Sequence, residues 1–432
     1  MKLTSPASGC TSALAVRVLL SVCLFVAPAM FAAEPASPAA GAINALGIDL
    51  LHKAGKPDGN ALLSPYSIQS ALAMTYAGAE GGTRTEMAKV LHYPNGDAQL
   101  HGSFAALRQA LDDIATNSAR AARQRNQWGA TNDLTTLTVA NRLFGQTGYQ
   151  FRDPFLALVK DRYGTPLERL DFVRDPAGAT RQINSWVENQ TRQRIRNLIP
   201  ADTLNSLTRL VLVNAFYLKA PWAQEFVVSA TRRLPFHAAG GRLVNVPTMK
   251  GGRGVSYSKR DGFSMLAIPY MDGDLQFLIF LPDKMGGLAA LEKKLTPGLL
   301  AEGATLPCPE VILYLPKFKL EPPVLSLANS LQALGMKSAF DVPRGSANFD
   351  RMAPRQPGGY LSISAIFHKT FLSLDEKGTE AAAATAIEVN SPMMAIAKPK
   401  PVEVRVDRPF VFAIQHRPSG ACLFLGHVTD PR

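Results

Sequence analysis

The sequence has few of the features that would define a protein by composition alone. Four cysteines in 432 residues are too few for a disulfide-held scaffold of this length. The 33 glycines and 31 prolines are spread along the chain, so collagen-like and low-complexity classes are excluded. With 47% hydrophobic and 19% charged residues, the chain can bury a sizeable core as two or three ordinary domains or as one large domain.

The short motifs of common enzyme classes are also absent. The sequence contains no G-x-S-x-G, no H-E-x-x-H, no G-x-x-x-x-G-K-[ST] and no C-x-x-C. Of its seven histidines, only His368 has a distinctive setting, an apolar strand pattern, where a hydrogen-bonded core residue is commoner than a general base. These absences favour a protein that is not an enzyme and has no metal site. A hydrolase built from distant Ser, His and Asp residues stays open, because such sites are defined by geometry.

The N-terminal 33 residues have the layout of a secretory signal peptide. Lys2 and Arg17 are their only charges, and an apolar run with closing small residues covers 18–33. Pro28 interrupts this run, which is shorter than the about 20 unbroken apolar residues of a membrane anchor. Cleavage would remove two of the 46 basic residues and none of the 34 acidic ones, leaving a net charge of +10 on a secreted or periplasmic protein.

Two cysteines, Cys308 and Cys422, remain after this cleavage. Cys308 follows a proline in a loop pattern, and Cys422 lies in an apolar strand pattern. An oxidising compartment would permit a disulfide, but the sequence gives no distance between the two sulfur atoms. Two isolated buried thiols are therefore expected.

The basic balance suggests an anionic partner. Six arginines form two clusters: Arg120, Arg123 and Arg125, and Arg192, Arg194 and Arg196. Neither cluster has interleaved aromatic residues, so no nucleic-acid partner is expected. We interpret both clusters as solvated helix faces, with a weak polyanion site as the alternative.

Hydrophobic periodicity predicts a helical first half and a strand-rich second half. Helices are predicted over 43–51, 67–76 and 183–199, with Ser67 placed to cap the second. Strands are predicted over 210–218, 264–268, 275–281, 310–315, 367–374, 402–406, 410–415 and 422–428. No repeat or Pro/Gly linker divides the chain, so we expect one large α+β domain over 34–432.

The most unusual segment lies near the C-terminus, over 375–395. From 379 to 390, small or apolar residues occupy odd positions, whereas charges such as Glu380 and Glu388 occupy even ones, which is typical of a strand with one buried face. Four consecutive alanines and Pro392 give poor strand propensity, and the alanine run alone equally favours a short helix. The strand-like alternation and the poor strand propensity are both explained if the segment is a strand in only one of two states of the protein. Small side chains would allow it to enter a core that has already closed.

Ordered motifs extend this interpretation along nearly the whole of 34–432. The run EKGTEAAAATA at 376–386 resembles the hinge of the reactive-centre loop of serpins. Other motifs that resemble serpin signatures are NALLSPYSIQSALAM (60–74), GGTRTEMAKVLH (81–92), ANRLF (140–144), INSWVENQT (183–191), LVLVNAFYLKAPW (210–222), LPKFKLE (315–321), LGMKSAF (334–340), DRPFVFAI (407–414) and FLGHVTDP (424–431). Because these motifs occur in the family's order, the chain is identified as resembling a serpin.

This resemblance implies a fold and a mechanism. Serpins have about eight to nine helices and three β-sheets, and their large central sheet accepts the reactive-centre loop as a new strand. Inhibitory members are suicide substrates of serine proteases: the protease cleaves the loop, forms an acyl-enzyme, and is dragged and distorted as the loop inserts. The resemblance therefore implies a monomeric protease inhibitor that forms a covalent complex and needs no cofactor.

The resemblance also assigns roles to residues of this chain. The reactive-centre loop would span about 376–401. Its hinge, with Thr379 as the first inward-facing residue, consists of Glu376, Gly378, Thr379, Glu380, Ala381, Ala382, Ala383 and Ala384. Lys317 and Trp222 match the breach, where the sheet first opens, and Lys317 is expected to pair with Glu376. The shutter, a polar cluster beneath the sheet centre, corresponds to Ser64, Ser67, Asn214 and His368.

The scissile bond is expected within residues 392–394. The usual loop length places Pro392 on the acyl side of the cleaved bond and Met393 on the leaving side. A register one residue later places Met393 on the acyl side and Met394 on the leaving side. Methionine suits elastase-, chymotrypsin- or subtilisin-like proteases, whereas Lys398 would suit a trypsin-like enzyme in a longer loop. The small hinge residues favour inhibition over the rival function, a non-inhibitory serpin that binds or stores a partner.

Overall fold

The computed structural model describes residues 37–55, 58–126, 134–271, 273–356, 359–380 and 400–432. The α-helices within these ranges are α1 (Pro38–Ala54), α2 (Pro65–Ala77), α3 (Gly81–Val90), α4 (Asp97–Asn126), α5 (Asp153–Tyr163), α6 (Pro176–Gln190), α7 (Leu288–Glu292), α8 (Pro297–Ala301) and α9 (Ala328–Ala333). None of these nine helices has both the length and the apolar character that crossing a bilayer requires.

Serine side chains determine where the first two helices begin. The Ser37 hydroxyl accepts a hydrogen bond from the amide of Ala40, and Pro38 occupies the first turn of α1, where its missing N–H is not needed. Ser64 caps α2 in the same way, by accepting from the amide of Ser67. The prediction that Ser67 caps this helix is therefore wrong, because Ser67 lies inside its first turn.

Helix α6 ends earlier than its periodicity predicts. The helix predicted over 183–199 ends at Gln190. Arg192 and Gln193 follow with φ values of 51° and 62°, a left-handed conformation that breaks the helical hydrogen-bond pattern. The basic cluster at 192–196 therefore lies on the segment after α6, and its interpretation as a helix face is wrong.

The strands begin earlier in the chain than predicted. They are β1 (Ala61–Leu63), β2 (Thr136–Gln146), β3 (Glu168–Leu170), β4 (Leu210–Pro221), β5 (Arg232–Ala238), β6 (Arg242–Gly251), β7 (Ser256–Arg260), β8 (Phe263–Pro269), β9 (Leu275–Pro282), β10 (Val311–Pro316), β11 (Phe318–Leu320), β12 (Leu325–Ser326), β13 (Ile363–Thr370), β14 (Leu372–Asp375), β15 (Gly378–Thr379), β16 (Val402–Arg405), β17 (Phe410–His416) and β18 (Ala421–Val428). The strand predicted over 367–374 is two strands, because the chain changes pairing partners at Phe371.

The strands form three sheets. One six-stranded sheet has the order β1-β18-β17-β9-β8-β7, and a four-stranded sheet has the order β16-β10-β6-β5. The eight-stranded sheet has the order β11-β14-β15-β4-β13-β12, with β2 on the other edge of β4 and β3 beside β2. Within the described ranges, the predicted α+β fold with about eight to nine helices and three sheets, one of them large, is confirmed.

The hydrophobic core has two parts, on opposite faces of the eight-stranded sheet. Successive residues of a strand point to opposite faces, so even-numbered residues of β4 such as Leu212 and Phe216 join the larger core. Odd-numbered residues such as Val211 and Val213 join a smaller core that includes Ile183 of α6. Helix α6 therefore packs on this face of the large sheet, where Trp186 contacts Phe144 of β2.

The two described cysteines are both free of disulfides. Cys422 is buried in β18, as predicted. Cys308 is exposed, so the prediction of two buried thiols is wrong for this residue. The reason is its place in the irregular stretch before β10, where several consecutive side chains point to solvent.

Candidate functional site

The candidate site is the boundary between β4 and β13 in the eight-stranded sheet, called the seam below. The two strands run parallel and pair from Leu210 with Ile363 to Phe216 with Thr370. Beyond Phe216, the same edge of β4 pairs with β15, which lies between β4 and β14. A strand placed between β4 and β13 would therefore continue β15.

The two residues of β15 are held tightly between their neighbours. Gly378 has φ 149°, and a Cβ atom there would lie 2.1 Å from the carbonyl oxygen of Ala220, so the position requires glycine. Thr379 is fully buried, and its hydroxyl lies 2.6 Å from the hydroxyl of Tyr270. Tyr270 in turn stacks on Trp222, with 4.6 Å between ring centroids. Thr379 thus faces inward against an aromatic pair.

The turn between β14 and β15 is held by side chains from other strands and loops. Lys317 Nζ donates to Glu376 Oε2 at 2.7 Å, and the Thr231 hydroxyl donates to Glu376 Oε1 at 2.8 Å. Trp222 Nε1 donates to the carbonyl oxygen of Asp375 at 2.9 Å. The structure therefore brings Lys317, Trp222 and Glu376 together at the end of the seam.

The charge on Glu376 depends on these partners, because the residue is buried. Burial alone would raise the pKa of the Glu376 carboxyl, but hydrogen bonds from Lys317 and Thr231 hold that pKa below its usual value. Glu376 is therefore ionised at neutral pH and forms an ion pair with Lys317.

A buried polar cluster crosses the seam near its middle. His368 of β13 lies opposite Asn214 of β4, and His368 Nδ1 is hydrogen-bonded to Asn214 Oδ1. The Ser64 amide donates to His368 Nε2 at 3.0 Å, so Nδ1 carries the ring proton and donates to Asn214. The Ser67 hydroxyl donates to Asn141 Oδ1 at 2.8 Å, which extends the cluster to β2.

This cluster is neutral and incompletely hydrogen-bonded. Burial lowers the pKa of His368 to about 3, so the ring is uncharged at neutral pH and serves as a core residue. Asn214 Nδ2 is buried, and no hydrogen-bond partner reaches it from the described part of the chain. An unsatisfied buried donor costs about 1–3 kcal/mol. The seam is therefore weakened at the point where its polar contacts cross.

Three residues of the site were missed from the sequence. Asn141 lies within the ANRLF motif at 140–144, and Tyr270 lies between the strands predicted over 264–268 and 275–281, so both had a recognisable setting. Thr231 lies in no pattern that would have identified it. Its role depends on a long-range contact with Glu376, which sequence spacing cannot show.

Part of the predicted loop lies outside the described residues. The loop residues concerned are hinge residues Ala381, Ala382, Ala383 and Ala384 and the bond candidates Pro392, Met393 and Met394. The predicted signal peptide at 1–33 also lies outside the described residues. The last described hinge residue is Glu380, which has φ 50° and forms an ion pair with Arg194.

The fold and the site together define a class of protein. A large sheet holds the first two residues of an additional strand, and the seam beyond them is crossed by few polar contacts. This arrangement suits a protein whose own chain can be added to a preformed sheet. A family model described as Serpin (serine protease inhibitor) matches residues 41–431, and the chain therefore belongs to the serpin family.

Related proteins cover nearly all of the chain. Leukocyte elastase inhibitor of Bos taurus is 36% identical over 384 residues, which cover 87% of this chain and 94% of the relative. An uncharacterised serpin-like protein of Thermococcus kodakarensis is 36% identical over 398 residues, covering 91% and 86%. The crystal structure of Serpin48, a highly specific serpin of the insect Tenebrio molitor, has a TM-score of 0.75 and 31% identity, covering 91% and 98%. The serpin fold is thus confirmed, and serpins in general are protease inhibitors rather than enzymes, although some are non-inhibitory.

The ion pair at the end of the seam should stabilise the resting sheet. Lys317→Met leaves the buried Glu376 carboxylate with Thr231 as its remaining described side-chain partner, so we expect a loss of about 1–2 kcal/mol, between the values for exposed and buried pairs. The midpoint of urea unfolding measures this loss. Lys259→Met, which breaks a more exposed pair with Asp283, is the control and should shift the midpoint less. Equal midpoints for wild type and Lys317→Met would contradict the assignment.

The neutral histidine at the seam should make the fold acid-sensitive. The unfolded chain binds a proton at His368 near pH 6.5 and the folded chain only near pH 3, so stability should fall as pH drops through this window and be unaffected above it. His368→Gln should lower the slope of unfolding free energy against pH by up to about 1.4 kcal/mol per pH unit. Urea unfolding at pH 4.5, 5.5 and 7 measures the slope. An unchanged slope in His368→Gln would refute the prediction.

Proposed function

We propose that this serpin is inhibitory and acts as a suicide substrate of serine proteases. The observation that carries the proposal is the position of Gly378 and Thr379, which already pair with both β4 and β14. After Glu380, the sequence continues with four alanines at 381–384. Small side chains can follow Thr379 into a packed core, whereas large or charged side chains would stop the loop from inserting into the sheet.

The proposed mechanism uses the protease's own chemistry to start insertion. The protease serine attacks the carbonyl of the acyl-side residue, the peptide bond breaks, and the new amine leaves with a proton from the catalytic base. An ester then joins the loop to the protease. Inserting about 15 residues at about 3.3 Å each would carry this ester about 50 Å along the seam. No cofactor takes part.

The proposed scissile bond lies within 392–394. Either Pro392 or Met393 would form the ester, and Met393 or Met394 would begin the released peptide. An apolar acyl-side residue suits elastase-, chymotrypsin- or subtilisin-like proteases. The bovine relative, whose name describes an elastase inhibitor, supports this choice of target class.

The proposal extends to processing and compartment. Residues 1–33 would be removed as a signal peptide, and 34–432 would form a single domain that is secreted or periplasmic and acts as a monomer. The family match supports this boundary because it begins at residue 41, after the leader.

A weak polyanion site is a secondary proposal. Arg120 and Arg123 are exposed on α4, where a sulfated or phosphorylated polymer could reach them. The other basic cluster is less suitable, because Arg194 already pairs with Glu380. No nucleic-acid partner is proposed.

The inhibitory mechanism predicts a covalent complex. Residues 34–432 mixed with chymotrypsin, elastase, subtilisin or trypsin should give, with at least one apolar-directed enzyme, a band on denaturing gels at the summed mass. Sequencing of the released peptide should begin at Met393 or Met394. Clean loop cleavage by all four enzymes without a complex would overturn the proposal and favour the non-inhibitory alternative.

The hinge assignment predicts conversion of inhibitor to substrate by one substitution. Thr379→Arg places a charge at a fully buried position beside Tyr270, so loop insertion should stall and the cleaved protein should accumulate without complex. Thr379→Ser, which keeps the hydroxyl and the small volume, is the control and should retain inhibition. Full complex formation by Thr379→Arg would show that the register is wrong.

A further inference from the structure

The segment after α6, residues 191–199, packs on the face of the large sheet that α6 covers; it is called the bridging segment. Ile195 and Ile199 are buried in the smaller core, which also contains Val213 of β4 and Phe367 of β13. Both strands of the seam therefore contribute to the core on which this segment packs.

The bridging segment is attached to α6 and to β13 by hydrogen bonds. Asn184 of α6 donates to the carbonyl oxygen of Ile199 at 2.9 Å and accepts from the Ile199 amide at 2.8 Å. Lys369 of β13 donates from Nζ to the carbonyl oxygen of Arg196 at 3.0 Å. These contacts join the segment to α6, which lies on the β2 and β4 side of the seam, and to β13 on the other side.

Arg194 attaches the same segment to Glu380, the residue directly after β15, whose amide donates to the carbonyl oxygen of Ser373 in β14 at 2.8 Å. The Arg194 guanidinium forms an ion pair with the Glu380 carboxylate. Tyr217 of β4 lies beside the pair, where burial and the charge of Glu380 raise the pKa of the Tyr217 hydroxyl. Neither carboxylate oxygen of Glu380 has a hydrogen-bond partner among the described residues. The Glu380 side chain is 11% exposed and that of Arg194 is 52% exposed, so solvent reaches the arginine more than the carboxylate.

The environment of Glu380 is strained as well as buried. Burial raises the pKa of the Glu380 carboxyl above its usual value, although the charge of Arg194 acts in the opposite direction. Its backbone has φ 50°, which is unfavourable for a residue with a side chain. Before the chain can continue from Thr379 into the seam, Glu380 must become extended, and this change moves its carboxylate relative to Arg194.

We propose that Arg194 is a positioning residue that holds the loop at Glu380, directly after Gly378 and Thr379 of β15. The bridging segment packs across the seam and is held to β13 by Lys369, so the Arg194 pair keeps Glu380 against a segment that must move before β4 and β13 separate. The inference rests on the proposed function, because it concerns the rate at which the sheet accepts a strand.

The test measures strand acceptance without a protease. A synthetic peptide with the sequence of residues 381–391 is incubated with the protein, and annealing is followed by native gels and by the rise in thermal denaturation midpoint. Arg194→Gln should anneal the peptide about fivefold faster than wild type, the scale expected for a partly exposed ion pair. Lys369→Met, which removes the contact to β13, should also anneal faster.

Matched variants separate the ion pair from a general loosening of the fold. Arg194→Lys keeps the charge and should anneal at nearly the wild-type rate. Arg192→Gln removes an exposed arginine from the same segment and should leave the rate unchanged. Glu380→Gln should match Arg194→Gln, and the double variant should be no faster than either single variant, because both remove the same contact.

The outcomes distinguish this inference from the proposed function. If wild type anneals the peptide and Arg194→Gln anneals it at the same rate or more slowly, the role of Arg194 is overturned and the proposed function stands. If the rate increases of Arg194→Gln and Glu380→Gln add in the double variant, the proposal that the two residues act through one shared contact is also overturned. If wild type neither anneals the peptide nor forms a protease complex, the proposed function fails and this inference fails with it.

Discussion

The parallel pairing of β4 with β13 is the contact on which the rest of the structure depends. One edge of β4 is divided between β13 and the two-residue β15, which pairs antiparallel with both β4 and β14. Parallel ladders are slightly less stable per residue than antiparallel ones. A strand that continued β15 would therefore replace one parallel ladder with two antiparallel ladders, which would supply free energy for the proposed insertion.

The resting sheet is held against this exchange by a few polar contacts. At the end of the seam, the ionised Glu376 pairs with Lys317. In the middle, neutral His368 donates to Asn214 while the Asn214 amide nitrogen is left without a partner among the described residues. If the strands part as proposed, each of these contacts must break or rearrange, so the contacts that stabilise the fold would also control when it changes.

The sequence predicted the fold because the fold depends on ordered motifs and strand alternation, and the same motifs contain most of the residues that the structure brings together at the seam. His368 and Lys317 were identified through a family resemblance. Their partners, Asn214 and Glu376, are distant in sequence, and no rule based on residue spacing predicts either contact. The end of α6 was missed because apolar residues continue at helical spacing into 195–199, although Arg192 turns the chain. The environment of Glu380 was also missed, since a charge at an even strand position is ordinarily solvated, whereas here the backbone leaves the strand and the side chain is buried.

The central claim is that the seam can accept the protein's own loop as a strand. The most direct test is the thermal denaturation midpoint before and after a single cleavage within 392–394, with both fragments retained. If the loop becomes a strand between β4 and β13, the cleaved protein should denature at a higher temperature than the intact protein. A midpoint equal to or below that of the intact protein would contradict the account, because the broken chain would then have gained no new ladders.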